Sequence, residues 1–211
     1  MDVQVLTKSD HAAHGPLFDA MHRQRHAIFA VQLGWSALHS DTGLEVDQFD
    51  DEHAVYLVAH DEDEVCGSVR LLPAWRRSML LECWPDFVDS GHRSFGETVW
   101  EWTRWCPGVA ARPRQLLAAR RALILGAVAF GQSRGATRFV TLCETKFVDQ
   151  LAALGWSPEA LGPSFQYAEG QAIGVGWALR PNALLETAAR LKAPRPVRDV
   201  ASVAWPSMQA A

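Results

Sequence analysis

An acid and a base lie inside one aromatic stretch, residues 99–105, which reads VWEWTRW. The stretch has the composition of a buried strand, and a charged group that leaves water costs roughly several kcal/mol unless it is paired. Glu101 and Arg104 are therefore candidates for the centre of a site, and a structural ion pair beneath the tryptophans is the alternative. Residues three apart in a regular strand point to opposite faces, so the strand must bulge or twist if both are to line one cavity.

The composition of the chain is that of a soluble globular domain. Its 211 residues are 48% hydrophobic and 21% charged, with a net charge of −4 and a pI near 6.0. The basic excess of nucleic-acid-binding domains is absent, and no apolar run reaches the roughly 18–20 residues of a transmembrane helix. The first ten residues also lack the pattern of a signal peptide. We therefore expect a cytoplasmic protein that binds neither nucleic acid nor membrane.

The cysteines and histidines favour neither a disulfide framework nor a metal centre. His22 and His26 are one helical turn apart, but no matching set of ligands accompanies them. The cysteines are widely scattered and form no CxxC pair, which is typical of reduced thiols in a cytosolic protein. They are Cys66, Cys83, Cys106 and Cys143. We expect no bound metal.

The N-terminal quarter of the chain combines a helix with a long loop. A helical period begins near Pro16, and Arg25 lies on its apolar stripe, either because its stem packs and its head reaches water or because the stripe faces an anionic ligand. Residues 31–51 follow neither helical nor strand periodicity and are long for a connection. Trp35, Asp47 and Asp50 give this loop aromatic and acidic content, which indicates a lid over a site.

The remaining pattern predicts one α/β domain whose sheet is twisted, mixed and mostly antiparallel, with flanking helices. Arg70 interrupts an otherwise apolar strand, and Gly135 is at the usual position after the end of a helix. The predicted strands are residues 2–6, 54–59, 65–72, 99–105, 138–143 and 171–179, and the later helices are residues 114–134, 144–154 and 182–191.

Nine residues at their observed spacing, together with GSVRLLP at residues 67–73 and EWTR at residues 101–104, resemble the signature of acyl-homoserine-lactone synthases. These are the LuxI-type autoinducer synthases of bacterial quorum sensing. The resemblance covers about residues 1–180. It implies a single GNAT-like domain over residues 1–190, with a mobile substrate lid at residues 16–51 and a C-terminal tail at residues 191–211. The nine residues are Arg25, Phe29, Trp35, Asp47, Asp50, Arg70, Phe87, Glu101 and Arg104.

The resemblance implies two substrates, S-adenosylmethionine and an acyl thioester on CoA or acyl-carrier protein, and no cofactor. The α-amine of S-adenosylmethionine attacks the thioester, and its carboxylate then closes on the γ-carbon and expels methylthioadenosine. Glu101 is the candidate base, because an ammonium must lose a proton before it attacks. The implied catalytic set is Glu101, Arg104, Arg70, Asp47 and Asp50, and the implied S-adenosylmethionine contacts are Arg25, Phe29, Trp35, Trp102, Thr103 and Arg104. The alternative is that the charged residues only fix the N-terminal segment by ion pairs.

The acyl group is expected in a pocket crowded by rings, which favours a short, branched or aromatic acyl group. The implied wall residues are Phe87, Trp100, Thr141, Cys143, Thr145 and Phe147, with an ordinary core as the alternative. Residues 109–115 read VAARPRQ and lack the glycine-rich pyrophosphate loop of GNAT acetyltransferases. Arginines such as Arg112 and Arg114 are then the candidates for contacting CoA phosphates or an acidic carrier protein.

Two other functions fit the sequence less well. One is a GNAT-like N-acyltransferase that acts on a different amine, and the other is a GNAT-like ligand-binding domain without catalysis. Protection against thermal unfolding by S-adenosylmethionine separates them from a synthase, because any ligand of the native state stabilises it.

Overall fold

The chain folds as one mixed sheet with helices on both faces. The computed structural model describes residues 1–61, 64–108, 112–167 and 170–193. The strands are β1 Asp2–Thr7, β2 Val55–Asp61, β3 Glu64–Pro73, β4 Val99–Pro107, β5 Arg138–Glu144, β6 Glu159–Ala160, β7 Phe165–Tyr167 and β8 Gly170–Ala178. Their order is β1-β2-β3-β4-β5-β8-β6, with β7 also beside β8. All pairings are antiparallel except that of β4 with β5, which confirms the predicted sheet.

Within the described residues, five α-helices flank this sheet. They are α1 His11–His26, α2 Met79–Cys83, α3 Pro113–Ser133, α4 Val148–Ala153 and α5 Ala183–Arg190. A π-helical turn, Ala27–Gln32, continues α1 directly. Gly135 has a φ of 68°, which suits a glycine after a helix end and confirms the predicted end of α3.

Strand alternation divides the core into two layers. On one face, called the α3 face, side chains such as Leu57, Leu71 and Trp102 pack against α3 and α5. On the other face, called the α1 face, Tyr56, Val58 and Leu72 pack with Phe18 and Met21 of α1. Residues two apart in a strand share a face, so the faces follow from the sequence once the strands are known.

Strands β4 and β5 separate soon after they meet. They pair only at Val99 with Arg138, Trp100 with Phe139, and Glu101 with Val140. Beyond this point the described residues of the two strands no longer pair with each other, although β4 continues beside β3 to Pro107 and β5 continues beside β8 to Glu144. The hydroxyl of Thr141 donates to the carbonyl oxygen of Trp102 at 2.8 Å, which marks the fork. The space past the fork is called the β4–β5 cleft.

Helix α3 is long and apolar enough, by length and composition alone, to cross a membrane. It is the one helix with this property among the residues that the structure describes. Its buried residues, including Leu123, Ala127 and Phe130, pack on the sheet as part of the core. The helix therefore uses its apolar surface inside the domain.

Several predicted boundaries are corrected by the structure. Helix α1 begins at His11 rather than Pro16, and a non-helical residue at His14 accommodates the proline two residues later. The predicted lid therefore begins inside a helix whose Phe18 is buried. The predicted helix 144–154 is a 3₁₀ turn, Thr145–Phe147, followed by α4. The short strands β6 and β7 were not predicted. Most of the predicted tail, residues 194–211, lies outside the described residues.

Candidate active site

A bulge in β4 brings the acid and the base of the central strand to one face. The β3–β4 register steps from Arg70 opposite Thr103 to Ser68 opposite Cys106, so β4 carries one extra residue. Arg104 is in the bulge and has a φ of 51°, a conformation that costs a non-glycine residue roughly 1 kcal/mol or more. The sequence required a bulge or twist for Glu101 and Arg104 to share a cavity, and the structure confirms the bulge.

The side chains of Glu101, Thr103 and Arg104 consequently face the α1 layer. There Arg25 is the first of three buried arginines, with 1% of its surface exposed. Its Nε donates to Oε2 of Glu45 at 2.5 Å, and its two terminal nitrogens donate to the carboxylate of Asp50 at 2.8 and 2.9 Å. All three nitrogens of this guanidinium therefore donate to a carboxylate, Nε to that of Glu45 and the other two to that of Asp50.

Arg70 and Arg104 extend the same arrangement. Arg70 donates to Asp47 at 2.6 and 3.0 Å and to Asp50 at 2.8 Å, and its Nε donates to the hydroxyl of Thr103 at 2.9 Å. Arg104 donates to Glu45 at 2.9 Å and to Asp47 at 2.6 Å. Each carboxylate thus bridges two guanidiniums, and the six side chains close on themselves. This ion ring consists, in order, of Arg25, Glu45, Arg104, Asp47, Arg70 and Asp50.

Two carboxylates of the ring, those of Asp47 and Asp50, stay ionised because guanidiniums surround them. Burial raises the pKa of Asp50, but the charges of Arg25 and Arg70 outweigh burial and hold that pKa well below its usual range. Burial also opposes ionisation of Asp47, and its bonds to Arg70 lower its pKa in the same way. The hydroxyl of Tyr56 donates to Asp50 at 2.8 Å, and burial with the nearby charge of Asp50 raises the pKa of this phenol. Asp47 and Asp50 therefore present fixed negative charges at neutral pH.

Glu45 is the ring member that the sequence analysis missed. It is 2% exposed, and its backbone carbonyl accepts a bond from the ring of His22 at 2.8 Å. It stands in a loop without periodicity, so no strand or helix pattern marked it as buried. The available signal was the series of acids at positions 45, 47 and 50, of which only the last two were chosen.

Glu101 lies beside this ring without joining it. Its carboxylate accepts bonds from the hydroxyl of Ser78 at 2.8 Å and from the backbone N–H of Leu80 at 2.9 Å. Burial raises its pKa to about 7, against the opposing effect of the bonds from Ser78 and Leu80. The structural alternative, an ion pair of Glu101 with Arg104, is not formed, because Arg104 pairs with Glu45 and Asp47.

The thioether of Met79 lies between the two groups. Its sulfur is 3.6 Å from a terminal nitrogen of Arg70 and 3.6 Å from one of Arg104. Met79 begins α2, whose N-terminus is bonded to Glu101, so α2 links the carboxylate to the ring. Ser78, Met79 and Leu80 were not predicted as site residues, since residues 75–96 have no clear periodicity.

A pair of stacked aromatic side chains lies against the ion ring near Arg104. Phe29 and Trp35 stack with ring centroids 5.3 Å apart, and the guanidinium of Arg104 lies 5.4 Å from the centroid of Phe29. Phe29 is part of the π-helical turn, a feature frequently found at functional sites. A cavity of about 230 Å³ opens nearby in the loop, lined by residues that include Leu38, Ser40 and Glu45. Predicted residues Phe29 and Trp35 are thus brought to the charged groups.

Trp102 is not brought to the ring, which corrects its predicted place among the S-adenosylmethionine contacts. Because side chains alternate along a strand, it points to the α3 face, opposite to Glu101 and Thr103. There it packs against Phe139, Trp156 and Trp177, with centroid distances of 5.3, 5.7 and 5.7 Å.

The predicted acyl-pocket residues divide into two groups. Thr141 and Cys143 are half-buried in β5 beside the β4–β5 cleft, and Thr145 and Phe147 follow in the adjoining 3₁₀ turn. Burial raises the pKa of Cys143 to about 12, so its sulfur is a neutral thiol in this wall.

The other two predicted wall residues, Trp100 and Phe87, each pack against another aromatic ring. Trp100 is at the paired end of β4 against Phe130, with ring centroids 5.1 Å apart. Phe87 stacks on Phe165 of β7, with ring centroids 3.7 Å apart, and β7 is separated from β4 by two strands. Distant parts of the chain determine where these two rings pack, and their part in an acyl pocket stays a prediction.

The candidate metal ligands are used in other ways. The ring of His22 is bonded to Glu45, and the ring of His26 lies 5.4 Å from that of His39. Within the described parts of the chain, no group of three His, Cys, Asp or Glu side chains is placed to hold a metal ion. All four cysteines are free thiols.

A mixed sheet that opens between a parallel pair of strands, with a buried carboxylate at the fork, defines a GNAT-like acyltransferase fold. The chain belongs to the autoinducer synthase family, whose model matches residues 10–176. A curated acyl-homoserine-lactone synthase of Ralstonia nicotianae is 32% identical over 149 residues, covering 68% of this chain and 73% of that protein.

Two further comparisons agree with this family. The isovaleryl-homoserine lactone synthase of Bradyrhizobium diazoefficiens is 30% identical over 140 residues, covering 66% of this chain and 63% of that protein. The solved structure of BjaI, a CoA-dependent acyl-homoserine lactone synthase with SAM and isopentyl-CoA, has the same fold, with a TM-score of 0.82. It is 24% identical and covers 93% of this chain and 92% of its own. The predicted family and enzyme class are thereby confirmed.

Proposed function

We propose that the chain makes an acyl-homoserine lactone from S-adenosylmethionine and a short-chain acyl-CoA, with Glu101 as the base. The α-ammonium of S-adenosylmethionine loses a proton, and the free amine attacks the thioester carbonyl and expels CoA thiolate, which takes up a proton. The carboxylate of the acylated intermediate then attacks its own γ-carbon. The C–S bond breaks, methylthioadenosine leaves and the lactone ring closes.

The state of Glu101 is the observation that carries this proposal. A general base works best when its pKa is near the operating pH, and burial raises the pKa of Glu101 to about 7. Glu101 also forms the last β4–β5 pair before the cleft opens. Because the residue is only 1% exposed, it takes the substrate proton through a water molecule.

The exposure of the ring members supports a place for S-adenosylmethionine. The side chains of Arg104 and Asp47 are 6% and 9% exposed, whereas those of Arg25, Arg70, Glu45 and Asp50 are at most 3% exposed. Arg104 and Asp47 are neighbours, and Phe29 adjoins Arg104. We therefore propose that Arg104 binds the substrate carboxylate, that Asp47 attracts its cationic groups, and that Phe29 and Trp35 cover its sulfonium or adenine. In this proposal Arg25, Arg70 and Asp50 position Arg104 and Asp47. Thr103 orients Arg70.

The β4–β5 cleft is the proposed seat of the acyl thioester, with Thr141, Cys143, Thr145 and Phe147 along its wall. A relative is named for an isovaleryl product and BjaI for dependence on CoA, which supports a short or branched acyl-CoA over acyl-carrier protein. Arg112 and Arg114 are exposed at the start of α3, where they can meet CoA phosphates. Residues 109–111, part of the segment without a glycine-rich loop, lie outside the described residues.

The chain, incubated with S-adenosylmethionine and a panel of donors, is expected to release methylthioadenosine and an acyl-homoserine lactone in equal amounts. Mass spectrometry identifies the product, with butanoyl, 3-methylbutanoyl, phenylpropanoyl, decanoyl and dodecanoyl groups offered on CoA and on carrier protein. We expect the fastest turnover with a short, branched or aromatic acyl-CoA.

Each contrary result has a separate meaning. A preference for straight chains of about ten or more carbons on carrier protein contradicts the proposed donor and returns Phe147 to a core role. Absence of lactone from every donor contradicts the function. An amide formed on another amine indicates an N-acyltransferase, and S-adenosylmethionine that neither reacts nor raises the melting temperature excludes its site.

Residues 16–51 are proposed to become more ordered when S-adenosylmethionine binds. Residues 17–26 are in α1, and residues 45–50 are held by the ion ring, so we expect the largest change in the intervening residues 31–44. Hydrogen exchange should show slower exchange there with ligand than without it. Helix α3 provides the internal control. Equal exchange of residues 31–44 in both samples would contradict a lid.

The extent of the domain, the cellular location and the kinds of partner are proposed from core packing, cysteine state and net charge. Residues 1–190 form one synthase domain, because helix α5 packs into the core shared by β4, β5 and β8. The four free cysteines are consistent with a cytoplasmic protein. The net charge of −4 gives no support to binding of nucleic acid or an anionic membrane.

A further inference from the structure

Arg77 lies outside the ion ring and contacts two separate parts of the candidate site. The first part, called the acidic turn, is residues 47–51, which include two carboxylates of the ion ring. The second part is α2, whose Leu80 donates its backbone N–H to Glu101. These parts are far apart in sequence, so a side chain that is bonded to both fixes one relative to the other.

Three contacts join Arg77 to the acidic turn. One terminal nitrogen donates to the backbone carbonyl of Gln48 at 2.6 Å and lies 3.6 Å from the carboxylate of Asp51. The guanidinium also lies 4.5 Å from the ring centroid of Phe49, a distance typical of a cation–π contact. Phe49 is 1% exposed and belongs to the core of the α1 face. Arg77 therefore holds the backbone of this turn as well as one of its rings.

Arg77 reaches α2 through its backbone and through the rest of its guanidinium. It directly precedes Ser78, whose hydroxyl donates to the carboxylate of Glu101 at 2.8 Å. Its Nε and its second terminal nitrogen donate to the two carboxylate oxygens of Glu82 at 3.1 and 2.7 Å. A bond to both oxygens gives a guanidinium a defined orientation, so Arg77 is held in place to meet the acidic turn.

We propose that Arg77 is a positioning residue that sets the place of Asp47 beside Glu101 and thereby favours the binding of S-adenosylmethionine. The inference rests on the proposed function, in which Asp47 attracts the cationic groups of this substrate and Glu101 takes its proton. The separation of the two carboxylates must then fit one molecule. Gln48 follows Asp47 in a turn closed by the backbone bond from Asp50 to Asp47 at 3.1 Å, so a shift of Gln48 carries Asp47 with it.

The competing explanation is that the ion ring positions Asp47 by itself. Arg70 and Arg104 already donate to its carboxylate. The side chains of Arg77 and Glu82 are 35% and 42% exposed, and exposed ion pairs contribute little to stability. In that case the loss of Arg77 has no effect on substrate binding.

The experiment compares Arg77→Gln with the native protein. We expect the KM for S-adenosylmethionine to rise about tenfold, and its dissociation constant in a calorimetric titration without acyl donor to rise by the same factor. Charge alone predicts the opposite, because this substrate carries a net positive charge and the variant removes a cation nearby. The KM for acyl-CoA should stay within about twofold, and kcat should change less than the KM for S-adenosylmethionine, because Ser78 and Leu80 still hold Glu101.

Arg76→Gln is the matched control. Arg76 is the preceding arginine on the same turn after β3 and is exposed, so the change removes an equal charge from the same surface and should leave both KM values native. Arg77→Lys keeps the charge without the planar fork, and its KM for S-adenosylmethionine should lie between the native value and that of Arg77→Gln. It also keeps the test open if Arg77→Gln does not fold. Glu82→Gln retains an oxygen that accepts from Arg77, so its KM should stay close to native.

The failures of the inference and of the proposed function are distinguishable. Lactone synthesis by Arg77→Gln with a native KM for S-adenosylmethionine overturns the inference alone, as does a lower melting temperature without a change in KM, because a merely structural role gives that result. An equal rise in KM for Arg76→Gln also overturns it. Absence of lactone from the native protein with every donor overturns the proposed function itself.

Discussion

Glu101→Gln is expected to lower the kcat/KM for lactone synthesis by about 10²-fold or more, with the fold and the binding of S-adenosylmethionine retained. The amide oxygen of the glutamine can still accept the N–H of Leu80, but the side chain cannot take a proton. Steady-state kinetics and the melting temperature with and without S-adenosylmethionine measure the two parts. Glu82→Gln is the control, because Glu82 is an exposed acid on α2, the helix whose Leu80 is bonded to Glu101. Turnover of Glu101→Gln within a few-fold of the native rate would remove Glu101 from the mechanism.

The same variant tests the raised pKa of Glu101 through the pH dependence of the free energy of unfolding. The pKa is 4.5 without the protein environment and about 7 in the fold, so the folded state binds this proton more tightly than the unfolded state. The free energy of unfolding therefore falls as the pH rises from about 4.5 to about 7, by on the order of 1–3 kcal/mol for this group. Urea denaturation at pH 5 and pH 8 should show the fall in the native protein and a smaller one in Glu101→Gln. The rate should rise over the same pH range, as the base loses its proton.

Glu45→Gln is expected to lower the free energy of unfolding by about 3–5 kcal/mol, because it leaves the guanidiniums of Arg25 and Arg104 buried with one carboxylate fewer. The melting temperature should fall by roughly 10 °C for a domain of this size. Urea or thermal denaturation gives the value. Activity should fall as well, since Arg104 loses the group that orients it.

Glu159→Gln is the matched control for that change. Its carboxylate pairs with Arg138 at 3.3 Å and is 73% exposed, so its loss should cost less than about 1 kcal/mol. An equally small effect for Glu45→Gln would mean that water replaces the missing carboxylate, and that the ring is not the anchor of the loop.

The sequence was sufficient for the outline of the fold because the elements have strong periodicity. Arg25, Asp47, Asp50, Arg70 and Arg104 were singled out together and do meet in one ring. Their pairing partners were not predictable, since each carboxylate is placed by a loop that is far in sequence from the strands carrying Arg70 and Arg104. Glu45 was missed for the same reason.

Trp102 and Phe87 show a second limit of the sequence analysis. Trp102 was grouped with its chain neighbours Thr103 and Arg104, although strand alternation sends it to the opposite face. The bulge explains why Arg104 escapes that rule while Trp102 obeys it. Phe87 lies in a region without periodicity, and its contact with Phe165 joins segments 78 residues apart, which local patterns do not report.

The short pairing of β4 with β5 is also the narrowest connection between neighbouring long strands of the sheet. The sheet has two halves, β1 to β4 and β5 to β8. Only the three residue pairs between β4 and β5 join these halves by strand pairing within the described residues. A group bound in the β4–β5 cleft lies next to the last of these pairs, Glu101 with Val140. The proposed base therefore stands at the narrowest join of the sheet, where the bonds from Ser78 and Leu80 hold its carboxylate.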